Sequence, residues 1–398
     1  MSTFAITFTN FGPYHLARLR ALAIRLRHRG DRLIAYEVAG RERRYPWLAC
    51  KGAEPFEWNT IFPGRDLESL SRLACYRAQL AALARDRPDA VALVGYARPE
   101  SMASLAWARR EGRPAVLMSE TQAIDHSRAW WKEAIKRRRV RRCDAALVGG
   151  PRHAAYLAEL GMSTDRIVLG YNAIDNDYYT ERAAAARSSA DGRRGLPDRP
   201  YFLAASRFVA EKNLPRLVRA FATYRTRSDE RSAWDLVLVG DGPGAAAVEE
   251  AVEASGVAGA IHRPGFLQIE ELTRWYAFAG AFVHPSLMEP WGLVVNEAAA
   301  CGLPLLVSER AGCVETLVPD PTGTTGGRFD PRDERELSDA LWAMANLPET
   351  DRIAMGRRAA EVVADWGPDR FARGALDAFD IAAESSKRRR VPVAEVVR

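Results

Sequence analysis

His284-Pro285-Ser286-Leu287-Met288-Glu289-Pro290-Trp291-Gly292-Leu293-Val294-Val295-Asn296-Glu297-Ala298-Ala299-Ala300-Cys301-Gly302-Leu303-Pro304-Leu305-Leu306-Val307-Ser308 is the stretch from which the rest of the chain is read. It parses as the end of a short apolar strand starting at Ala281, a loop, a helix, and a second buried strand over Leu305 to Ser308. Proline fixes φ and has no amide donor, which suits a first helical turn. Pro290 is therefore expected to open a helix of about two and a half turns, with Glu289 at or just before its cap and Gly302 just past its end. The first amides of such a helix, at Gly292, Leu293 and Val294, lack carbonyl partners within it and lie at its positive end. Gly292 lets a ligand come close there, and the ligand this end suits is an anion such as a phosphate. Glu289 stands beside that end, and Glu297 shares a helix face with Leu293, so both carboxylates are within reach of whatever docks.

A pair of glutamates at this spacing is common on solvated helix faces. What singles this pair out is its setting: strand, Glu-Pro-Trp-Gly, helix, Gly-Leu-Pro, strand. That setting resembles the donor-binding Glu-x7-Glu motif of retaining glycosyltransferases with the two-domain GT-B fold, the family 4 group in particular, and the resemblance extends over nearly the whole chain. It implies an α/β protein with two Rossmann-like, doubly wound parallel-sheet domains facing across a cleft. The N-terminal, acceptor-side domain is expected over 1–172, joined by a returning helix at roughly 366–390. The nucleotide-sugar domain is expected over 173–365.

The 398 residues suffice for two such domains, and 47% hydrophobic with 27% charged content fits a globular enzyme. Met1 to Phe8 lacks a basic start and reads as a strand, so no cleavable leader is expected. No window is apolar enough for a membrane span. Cys50, Cys75, Cys143, Cys301 and Cys313 are odd in number and lack metal-ligand spacing, which suits a reducing cytoplasm. The net charge of +6 comes largely from Lys136 to Arg142 and Lys387 to Arg390. No nucleic-acid-binding signature accompanies these runs, so anionic lipid or an anionic substrate is the better partner.

Strands alternate with helices along the first half: Phe4 to Thr9, Leu33 to Val38, Ala90 to Val94, Ala115 to Ser119, Ala145 to Val148 and Ile167 to Leu169. This order argues for a parallel sheet covered on both faces. After Phe4 to Thr9 comes a helix with Leu16, Leu19, Leu22, Ala23 and Leu26 on one face. Thr180 to Pro200 reads as an exposed connection. The second half repeats the logic with strands at Tyr201 to Ala205 and Leu236 to Val239, a helix capped by Asn213, and helices at Ala245 to Ala254 and Glu270 to Ala279. Asp333 to Ala345, Asp351 to Ala364 and Asp369 to Ala383 follow as helices, and the tail from Glu384 is read as mobile.

Ser206-Arg207-Phe208-Val209-Ala210-Glu211-Lys212-Asn213 lies where a strand turns into a helix, a place for cations that grip phosphates, or simply for solvated charges beside Glu211. By resemblance, Arg207 and Lys212 bind the donor diphosphate, Glu297 the ribose, Glu289 the transferred sugar, and Phe266 lies near the base, unless it is a core residue. Fixed donors aimed at the departing phosphate lower the barrier, and Gly12 would let the backbone close over the same group. His126 is a first-domain candidate for contact with sugar or acceptor, with Asp125 as its rival. His15 reads either as a site residue or as a helix N-terminal side chain, and Glu120 as an acceptor-side candidate. No Asp-x-Asp pair follows a strand in the required setting, so no metal and no other cofactor is expected. Asn172-Ala173-Ile174-Asp175 departs from the family's Asn-Gly-Val-Asp junction, and the absence of a paired-His loop leaves the acceptor class open.

Trp130-Trp131-Lys132 and the arginines after it suggest a helix that rests weakly on an anionic membrane, or else a solvated basic helix whose tryptophans pack inward. The expected protein is a cytoplasmic, possible inner-face peripheral, retaining and metal-independent glycosyltransferase using a UDP- or GDP-sugar, with a sugar, lipid-linked or small-molecule acceptor, in surface polysaccharide or glycolipid assembly. The alternatives are a non-catalytic nucleotide-sugar-binding scaffold, or an epimerase or phosphorylase on the same architecture, with nucleic-acid binding last.

Overall fold

A computed structural model describes residues 1–43, 52–125, 128–320 and 323–390. The chain divides into two compact units, Met1–Ile174 with the segment from Pro368, and Asp175–Gly367. The first contains β1 (Thr3–Phe8), α1 (Pro13–His28), β2 (Arg32–Arg41), β3 (Glu57–Asp66), α2 (Arg72–Asp86), β4 (Ala90–Val94), α3 (Pro99–Glu111), β5 (Ala115–Ser119), α4 (Trp130–Val140), β6 (Ala145–Val148), α5 (Pro151–Glu159) and β7 (Ile167–Leu169). The second contains α6 (Asn176–Ser188), β8 (Tyr201–Ala205), α7 (Leu214–Arg227), β9 (Asp235–Val239), α8 (Ala245–Ala254), β10 (Ile261–Gly265), α9 (Ile269–Phe278), β11 (Ala281–His284), α10 (Leu293–Ala300), β12 (Leu305–Ser308), α11 (Val314–Leu317), β13 (Gly326–Phe329), α12 (Glu334–Asn346) and α13 (Glu349–Ala364). The last helix, α14 (Pro368–Arg390), returns to the first unit.

Both sheets are parallel, in the orders β3-β2-β1-β4-β5-β6-β7 and β10-β9-β8-β11-β12-β13. The central strands β1, β5, β6, β8 and β9 are buried along their whole length, as strands with helices on both faces must be. The apolar face of α1 is buried as its spacing predicts. Leu16, Leu19, Leu22 and Leu26 join Phe371, Ala375 and Phe379 of α14 in one core. A second core gathers Leu217, Phe221 and Tyr224 of α7 against Phe202, Leu236 and Leu238.

Three strands had no expectation behind them, and all three are sheet edges: β3, β10 and β13. An edge strand is paired on one side and half-solvated, so it tolerates Pro63 and Gly64, His262, Arg263 and Pro264, or Gly326 and Gly327, and shows no apolar run. The supposed exposed connection from Thr180 to Pro200 starts inside α6, which runs to Ser188. Alanine and arginine favour the helix, Asp175 caps it by accepting from Tyr178 N at 3.2 Å, and Tyr179 and Ala183 are buried. Asn213 does not cap α7 with its side chain. It adopts φ 58° and sends Nδ2 to the carbonyls of Pro285 (3.1 Å) and Pro331 (2.7 Å). The tail read as mobile from Glu384 stays helical to Arg390. Trp366 lies in the second unit, its ring 5.1 Å from that of Trp291.

Candidate functional site

In an open parallel sheet, ligands collect beyond the carboxyl ends of the strands where the strand order reverses. In the second sheet that point lies between β8 and β11, because β9 and β10 lie to one side and β12 and β13 to the other. The two loops that leave these neighbouring strands are the ones that carry Arg207 and Lys212, and Glu289.

The loops are tied together. Leu287 N donates to Glu211 O at 2.8 Å, and the Asn213 amide reaches the carbonyl of Pro285. Lys212 Nζ donates to Glu289 Oε2, which also lies 2.9 Å from His284 Nε2. Ser286 Oγ is 3.2 Å from the same imidazole nitrogen. The main chain of Glu289 bridges to Ala311, and its carbonyl accepts from Gly312 N at 3.0 Å. Burial alone would raise the Glu289 carboxyl, but Lys212 and His284 outweigh burial and hold it well below the usual carboxylate range. For His284 the balance goes the other way: burial lowers its basicity more than Glu289 raises it. The imidazole is thus neutral at physiological pH, with Nε2–H donating to an ionised Glu289.

Gly292 closes the cluster. With φ 103° it occupies backbone space that favours glycine, and a Cβ there would lie 3.3 Å from both Glu289 Cγ and His284 Nε2. It caps α10, which is shorter than expected: Pro290 lies outside the helix, and the first turn starts at Leu293 and Val294. Trp291 fixes this entry, because its buried ring donates through Nε1 to Asn296 Oδ1 at 2.9 Å. Glu297 is wholly buried and accepts from Tyr276 Oη of α9 at 2.9 Å. A carboxylate so placed is not part of a solvated helix face.

Arg207 is half-buried in the turn after β8. That turn interlocks with Gly240-Asp241-Gly242-Pro243-Gly244: Phe208 N donates to Asp241 O (2.8 Å), Gly244 N donates to Phe208 O (2.7 Å), and a Cβ at Gly240 would collide with the Ser206 carbonyl. Phe266 follows the edge strand β10 and is 41% exposed, so it is not a core residue. His126 lies outside the described residues.

In the first unit the strand order reverses between β1 and β4. Gly12 follows β1, where its N–H donates to His15 Nδ1 at 3.1 Å. Its φ of −101° is open to any residue. Buried Glu37 steadies this turn by accepting from Phe11 N (2.8 Å), Thr60 Oγ1 (2.9 Å) and Trp58 Nε1 (3.2 Å). Burial, and then Arg18, push the His15 imidazole down to about 3, as suits a neutral acceptor at a helix start. Glu120 Oε2 accepts from Asn172 Nδ2 at 2.7 Å. Arg18 escaped notice in the sequence. It is buried, with Nε donating to Ala173 O (2.8 Å) and the guanidinium 5.3 Å from the Tyr171 ring centre. His284, Ser286 and Tyr276 were missed as well. A histidine that ends a strand at the switch point was the one available signal.

Residues 190–361 match the family model described as "Glycosyl transferases group 1". The chain is 31% identical over 202 residues to the GDP-mannose-dependent alpha-(1-6)-phosphatidylinositol monomannoside mannosyltransferase of Mycobacterium tuberculosis, covering 48% of this chain and 50% of that protein. It is 30% identical over 257 residues to the D-inositol 3-phosphate glycosyltransferase of Xylanimonas cellulosilytica, covering 62% of this chain and 58% of that one. The chain thus spans about half the length of the relatives it matches. Among solved structures, sucrose-phosphate synthase from Thermosynechococcus elongatus superposes with a TM-score of 0.73 at 19% identity, over 96% of this chain and 100% of that one. Anabaena HepE in complex with UDP superposes with a TM-score of 0.70 at 16% identity, over 96% and 100%. At these identities the likeness establishes the fold, which is GT-B.

Proposed function

We propose that this chain is a retaining, metal-independent glycosyltransferase of the family 4 type, which moves a hexose or related sugar from a UDP- or GDP-sugar to an acceptor. The observation that carries the reading is the Lys212–Glu289–His284 cluster, set against Gly292 at the switch point of the second sheet. The glycosyltransferase group 1 match over residues 190–361 and the names of the relatives support it.

Breaking the bond between the sugar anomeric carbon and the β-phosphate oxygen leaves negative charge on the diphosphate. Arg207, Lys212 and the first amides of α10, at Leu293 and Val294, supply fixed positive ends for that charge. These cations take the part that a divalent ion plays elsewhere. Glu297 receives the ribose hydroxyls and Glu289 those of the sugar. A carboxylate held as far down as Glu289 is a poor proton acceptor at neutral pH, which favours a binding role over that of general base. The acceptor hydroxyl then loses its proton to the departing β-phosphate oxygen. Its oxygen bonds to the anomeric carbon on the face the phosphate leaves, so configuration is retained. Phe266 is the candidate for the base, and in the first unit Gly12 and His126 are candidates for phosphate and sugar on the strength of the resemblance alone. The acceptor is a sugar, a lipid-linked compound or a small molecule of surface polysaccharide or glycolipid assembly, met at the inner face of the membrane.

The test is transfer by purified protein across a panel of UDP- and GDP-sugars, with the product's anomeric configuration read by NMR. Arg207→Ala and Glu289→Ala are expected to abolish transfer while keeping the fold. Full activity of both variants contradicts the reading, as does binding of a donor with neither transfer nor hydrolysis over a wide acceptor panel.

A further inference from the structure

Helix α4 presents an outer face of unusual make-up. Trp130, Trp131 and Ile135 are 82%, 50% and 43% exposed, and Ala134 is exposed beside them. One turn further on, Arg137, Arg138, Arg141 and Arg142 are exposed too. Helical spacing sets Trp130, Ala134 and Arg137 in one row and Trp131, Ile135 and Arg138 in the next, and Arg141 and Arg142 follow at the end of the helix. One side of the helix is therefore apolar over its first half and cationic over its second. Lys132 adds a charge, its Nζ 5.4 Å from the Trp131 ring centre.

The inner face explains why the outer one carries no acid. Glu133, the helix's one carboxylate, turns inward and accepts from Lys136 Nζ (2.8 Å) and Tyr156 Oη (3.0 Å). Val140 is buried, and Arg139 reaches the Tyr96 carbonyl at 2.9 Å. The fold also brings the second basic run of the sequence to the same end of the unit. Arg389 of α14 binds Asp144, two residues after Arg142, and Lys387 and Arg388 are exposed beside it.

We propose that this face docks on a bilayer containing anionic phospholipid. Trp130, Trp131 and Ile135 enter the headgroup layer, where an amphipathic indole is favoured, while the arginines meet lipid phosphates. The exposed tryptophans pick a lipid surface over a nucleic acid, because the apolar patch adjoins the charge on the same side of the helix. The inference deepens the reading of an acceptor met at the membrane, but the geometry of α4 stands without the transfer chemistry.

The experiment is co-sedimentation of the full chain with vesicles of phosphatidylcholine alone or with phosphatidylglycerol added, at low and high salt. Wild type is expected to pellet with the anionic vesicles only, and less at high salt. Trp130→Ser with Trp131→Ser, and Arg137→Gln with Arg138→Gln, are each expected to weaken partition by about tenfold or more, with unchanged melting curves. Arg137→Lys with Arg138→Lys should keep most of the binding. Wild type that stays in solution with every vesicle, or variants that pellet like wild type, would overturn the proposal. So would a DNA duplex held equally well by wild type and the Trp130→Ser, Trp131→Ser variant, with no loss of vesicle binding in that variant. Calorimetric binding of a nucleotide sugar, measured alongside, separates failure of the docking surface from failure of the transferase reading.

Discussion

Lys212→Met removes the charge partner of a carboxylate that has little solvent to turn to. The Lys212 and Glu289 side chains are 17% and 11% exposed, and His284, which also holds that carboxylate, is neutral. Removing one member of a buried pair costs about 3–5 kcal/mol, and the residual exposure of Lys212 places the loss near the low end, about 3 kcal/mol. For a unit the size of Asp175–Gly367 this lowers its melting temperature by about 6–12 °C. The pH dependence has a definite sign. In the wild type the depressed Glu289 gives stability that is full above the ordinary carboxylate value and is lost as pH falls through its folded one. Without Lys212, burial pushes the carboxyl up, so the variant's deficit is largest at neutral pH and shrinks towards about pH 5. Urea titrations at both pH values, with Glu289→Gln and the double variant, measure this. The double variant leaves no buried charge and should recover at least half of the loss. A deficit below about 0.5 kcal/mol, or losses that simply add, would refute the argument.

Tyr276→Phe deletes the hydroxyl that donates to Glu297 and should cost about 0.5–1.5 kcal/mol by chemical denaturation. An unchanged midpoint would show that Glu297 is held by other means. His15, pushed down to about 3, is expected to stay neutral from pH 8 to pH 5 in imidazole NMR spectra. Its folded value lies below its unfolded one, so the stability it confers is complete above the ordinary histidine value of about 6.5 and declines as pH falls from there. His15→Gln should flatten that part of the stability profile. A His15 that titrates near 6.5 would contradict this assignment.

Much of the fold was legible because its central strands are apolar on both faces. Ala90–Val94, Ala115–Ser119, Ala145–Val148, Tyr201–Ala205 and Leu305–Ser308 fall where the sequence places them. The edge strands β3, β10 and β13 were hidden by the freedom that half-solvation gives them. Local propensity misled at Thr180, where alanines in a charged stretch passed for a linker, and at Pro290, where a proline suited to a first turn sits before the helix. The site was partly legible. Glu289 and Lys212, 77 positions apart, meet because the strands before them are neighbours. His284 and Tyr276 were not legible, since their importance lies in what they touch and no spacing rule links Tyr276 to Glu297. Arg18 was invisible for the opposite reason, being a cation next to the apolar face of α1 that reads as solvated until its partners are seen.

The most direct test of the central claim is titration calorimetry of UDP- and GDP-sugars against wild type, Arg207→Ala and Glu297→Gln. One nucleotide sugar is expected to bind the wild type, and each variant to bind it at least about tenfold more weakly, a loss of about 1.4 kcal/mol, without a matching loss of fold. If no nucleotide sugar binds, or both variants bind it as the wild type does, the second unit's switch point is not the donor site.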